Sequence, residues 1–181
     1  ARILETEGPL SSTDSLWLEG SAAFAVVNTP ATASGKLLRS SDRGATWSES
    51  SSGLPGGPYR AFFATPTRTL INHCFGDVFA SDGTGAAFAP LNAAPADAGV
   101  CVSGFAIDPA APARLFASSG AGAPNDGVLI SLDDGATWAG SRAGLPAGAI
   151  PGPLAFGADG RLWLGVSGSG GDIFTSNNLK Q

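Results

Sequence analysis

One eight-residue pattern occurs twice in this chain and constrains it more than any other feature. Ser40-Ser41-Asp42-Arg43-Gly44-Ala45-Thr46-Trp47 and Ser131-Leu132-Asp133-Asp134-Gly135-Ala136-Thr137-Trp138 both read S-x-D-x-G-x-T-W. The pattern reads as a tight turn between two strands. Asp42 and Asp133 have short carboxylates that accept hydrogen bonds from turn N–H groups. Gly44 and Gly135 supply a position where φ turns positive without a Cβ clash. Thr46 and Thr137 suit the start of a following strand, where β-branching fits. Trp47 and Trp138 can lay a ring across the turn. Ser40 and Ser131 open the two copies. A metal or catalytic role for the aspartates is the alternative to this structural one.

Each copy follows a short apolar run opened by glycine, Gly35–Ser40 and Gly127–Ser131. Gly76–Ser81 and Gly171–Ser176 match that run. The four repeats have a period of ~40–50 residues, the spacing of four-stranded propeller blades. The second and fourth turns are degenerate. Gly83 stands where the aspartate is expected, and Ser176-Asn177-Asn178 opens a turn near the end of the sequence.

The expected strands of the first blade are 15–19, 22–27, 36–40 and 46–50. Those of the second are 59–64, 68–73, 77–81 and 86–91. The third has 102–107, 114–118, 128–132 and 137–141. The fourth has 153–156, 161–166 and 172–176, with no fourth strand. The blades thus run roughly over 10–50, 51–91, 92–141 and 142–181, within a single domain. Residues 1–5 read as a fourth strand that completes the last blade and closes a ring, removing an open edge. The alternative is a piece of a larger propeller. The fold class is all-β, built of four-stranded antiparallel blades.

The S-x-D-x-G-x-T-W pattern resembles the Asp-box, or BNR repeat, of sialidase-like β-propellers. That resemblance implies a fold more firmly than a function. In related enzymes the active site lies on the rim opposite the boxes. Candidate binding residues on that rim are Asp14, Tyr59, Arg60, His73, Asp97, Asn125, Asp126, Arg142 and Asp172.

A sialidase-like site would need three arginines around a carboxylate, a tyrosine–glutamate pair and an acidic aspartate. The chain has one tyrosine, and its glutamates are Glu5, Glu7, Glu19 and Glu49. Tyr59-Arg60 is similar to the start of the family's Y/F-R-I-P motif, but Ala61 and Phe62 replace its last two residues. The chain is also about half the length expected of such a catalytic propeller. Other Asp-box glycosidases use two carboxyl groups, ~5 Å or ~6.5–9.5 Å apart. Asp14, Asp97, Asp126 and Asp172 keep that reading open.

Other chemistry finds little support. His73, the lone histidine, lacks the clustered partners of a metal site. No nucleophile elbow, phosphate loop or cofactor fingerprint occurs. No cofactor or metal is therefore expected. The net charge of −5 argues against nucleic acid. Lysine occurs only at Lys36 and Lys180, which argues against a polybasic membrane patch. No apolar run approaches the ~18 residues of a membrane span.

Methionine is absent even at position 1, so the sequence begins after processing, which removal of a signal peptide before Ala1 would fit, or is cut from a longer chain. Antiparallel pairing would put Cys74, after the second strand of blade two, and Cys101, before the first strand of blade three, on one face. A disulfide between them fits an oxidising compartment. Two separate thiols are the alternative. The expected role is non-enzymatic: an extracellular or periplasmic propeller that binds a protein or a glycan, or serves as a subunit of an assembly. A fragment of an Asp-box glycoside hydrolase is the alternative.

Overall fold

The computed structural model describes residues 12–29, 34–73, 77–91, 102–119, 127–168 and 171–176. All the regular structure in these residues is β, with no helix among them. The chain divides into two compact units, the first carrying two sheets and the second two more.

The first sheet of unit one has the order β1 (Ser12–Glu19), β2 (Ala22–Thr29), β3 (Ser34–Ser40), β4 (Ser48–Glu49). Its second sheet is β5 (Tyr59–Ala64), β6 (Arg68–His73), β7 (Val78–Asp82), β8 (Ala89–Pro90). Every neighbouring pair is antiparallel. Glu19 pairs with Ala22, so two residues turn the chain, with Gly20 at φ 62°. A positive φ there suits the right-handed twist of a hairpin. Phe24 and Val26 alternate along β2 and face the second sheet. They join Leu37, Tyr59, Phe62, Ile71 and Phe79 in one buried cluster. The Phe24 and Phe62 rings lie 5.1 Å apart.

Unit two repeats the plan. One sheet is β9 (Val102–Ile107), β10 (Leu115–Ser119), β11 (Gly127–Ser131) and β12 (Ala139–Ser141), with neighbours paired in chain order. The other has three strands, β13 (Ala149–Phe156), β14 (Leu162–Gly168) and β15 (Asp172–Ser176). Ala106, Phe116, Leu154, Leu162, Leu164 and Val166 form the core between them. Ser118 Oγ donates to Gly152 O at 2.5 Å, bonding one sheet to the next.

The all-β class and the four antiparallel sheets are those expected from the sequence. Three sheets have four strands, and the fourth has three among the described residues. The outer strands are shorter than expected. β4 and β8 hold two residues each and β12 three. Thr46 and Thr137, expected to begin strands, remain in the turns, where their amides bond the aspartates. The expected strand over 1–5 lies outside the described residues.

Candidate functional site

The two eight-residue turns have one geometry. Ser40 Oγ donates to Asp42 Oδ1 at 2.7 Å and accepts from the amide of Gly44 at 2.8 Å. Asp42 then takes the Thr46 amide on Oδ1 at 2.8 Å and the Thr46 hydroxyl on Oδ2 at 2.6 Å. Trp47 Nε1 donates back to Gly44 O at 3.2 Å. In the other copy Asp133 holds Thr137 at 2.8 and 2.6 Å, and Trp138 reaches Gly135 O at 3.2 Å. Ser131 bonds Asp133 and Gly135. Hydrogen bonds to the ionised form lower a carboxyl pKa. The Thr46 hydroxyl, then its amide and Ser40, hold Asp42 at about 2. Asp133 is lowered in the same way, by Thr137 first.

The second turn uses a different aspartate. Gly83 occupies the expected position, but Asp82 accepts from the amide of Thr84 at 2.9 Å and from its hydroxyl at 2.5 Å. The anchor has moved back one residue and the loop it closes is shorter. A strict reading of the pattern missed this. The Asp-x-Thr spacing was the available signal.

On the opposite rim of unit one, Asn28, next to last in β2, acts as a piece of backbone. Its Oδ1 accepts from the Tyr59 amide at 2.9 Å and its Nδ2 donates to Tyr59 O at 2.6 Å. Gly35 makes room for this clamp. A Cβ there would lie 2.6 Å from Asn28 Oδ1 and 2.4 Å from Gly57 O. Tyr59 is only 1% exposed, and its hydroxyl donates to Pro55 O. Burial, with the charge of Glu49 adding to it, raises the pKa of the phenol above its ordinary value. His73 meets the Tyr59 ring edge-on, with centroids 6.0 Å apart. Asn28 was not among the residues expected to matter.

The structure brings together Tyr59 and His73 of the expected rim residues. Arg60 is exposed on β5. In unit two, Arg142 Nη2 donates to Ala149 O at 3.1 Å, and Asp172 Oδ1 accepts from the Ile173 amide at 2.7 Å. Asp14 lies on β1. Asp97, Asn125, Asp126, Cys74 and Cys101 lie outside the described residues. Among the described residues no three His, Cys, Asp or Glu side chains gather as metal ligands. Nor is any helix there long and apolar enough to cross a membrane.

No family model and no curated protein matches the chain. Solved structures do. The GH74 xyloglucanase from Xanthomonas campestris aligns with a TM-score of 0.73 at 18% identity, over 92% of this chain and 29% of its own. The Niastella koreensis GH74 enzyme aligns with 0.71 at 14%, over 90% and 28%. YCF48 bound to D1 peptide aligns with 0.57 at 19%, over 92% and 49%. The fold is a β-propeller. The chain spans less than a third of the two GH74 enzymes and about half of YCF48. At these identities the likeness is one of fold.

Proposed function

We propose that this propeller is a non-enzymatic binding module whose four repeats are Asp-box blades. It acts outside the cytoplasm and presents its rim loops to a protein partner. The observation that carries this reading is the state of Tyr59. The one tyrosine that a sialidase-like mechanism would require is buried, and its hydroxyl is engaged by Pro55 O. A nucleophile must reach its substrate. YCF48, with a similar fold, is described bound to a peptide, and this supports a protein as partner.

The GH74 likeness favours a second reading, a segment of a polysaccharide hydrolase. One assay separates the two. The purified chain is incubated with xyloglucan and with sialosides, and released reducing sugar and sialic acid are measured. The binding-module reading expects no release above the protein-free control. Turnover that disappears in Asp172→Asn or Asp126→Asn would replace it with the hydrolase reading. For the location, we propose a disulfide between Cys74 and Cys101, so thiol titration in denaturant without reductant is expected to find no free thiol. Two free thiols would remove the argument for an oxidising compartment.

A further inference from the structure

We draw no further inference here: the strongest candidate, the exposed apolar face that Trp163 and Ile173 give to the sheet of β13, β14 and β15, carries nothing because nothing in the structure shows what covers it.

Discussion

At the scale of single residues, the turns depend on carboxylates that must be charged. Asp42 accepts three hydrogen bonds, one from Ser40 and two from Thr46. Its pKa falls from an ordinary 3.8 to about 2 on folding. A group with a lowered folded pKa contributes stability above its unfolded value and loses it as pH falls through its folded value. Stability should therefore decline between about pH 4 and pH 2, with Asp82 and Asp133 shifted in the same direction. Urea midpoints measured across that range check this. The double variant Asp42→Asn, Asp133→Asn should be less stable at neutral pH and show a shallower decline. An unchanged slope would mean that other groups govern the acid response. The sequence made this chemistry legible because donor and acceptor lie within four residues. It concealed Asp82 because that aspartate follows its serine directly and its threonine lies two residues on instead of four.

At the scale of elements, the repeated apolar runs located the strands well. Tyr59–Ala64, Arg68–His73, Val102–Ile107 and Asp172–Ser176 fall where the pattern put them. The outer strands were overextended, because periodicity does not register that Thr46 and Thr137 are held in the turns. The burial of Tyr59 was not legible either. Its partner Asn28 lies 31 residues away, and nothing local couples them. That pair makes a sharp prediction. In Asn28→Ala the buried amide and carbonyl of Tyr59 lose their partners, at a cost of about 1–3 kcal/mol for each group. Guanidinium denaturation of the two proteins measures it. A loss under about 0.5 kcal/mol would show that water or a neighbouring group replaces the clamp. Asn28→Asp keeps one acceptor for the Tyr59 amide but removes the donor to its carbonyl. It should fall between wild type and Asn28→Ala.

At the scale of the molecule, repetition explains both the fold and its irregularity. A period of ~40–50 residues signals blades without reference to any relative. The propeller likeness to GH74 enzymes and YCF48 agrees with that reading. Function was less legible for a physical reason. A repeat specifies the core and turns of every blade, whereas a binding site depends on what differs among loops rich in Gly, Ala, Ser and Pro. Residue-resolved amide hydrogen exchange tests most directly the claim that the serine–aspartate turns build these blades. The amides of Gly44, Thr46, Gly135 and Thr137, bonded to side chains, should exchange slowly although they lie in turns. The second strands β2, β6, β10 and β14, paired on both sides, should be slow as well. Exchange of those four turn amides at the rate of an unstructured chain would contradict the claim.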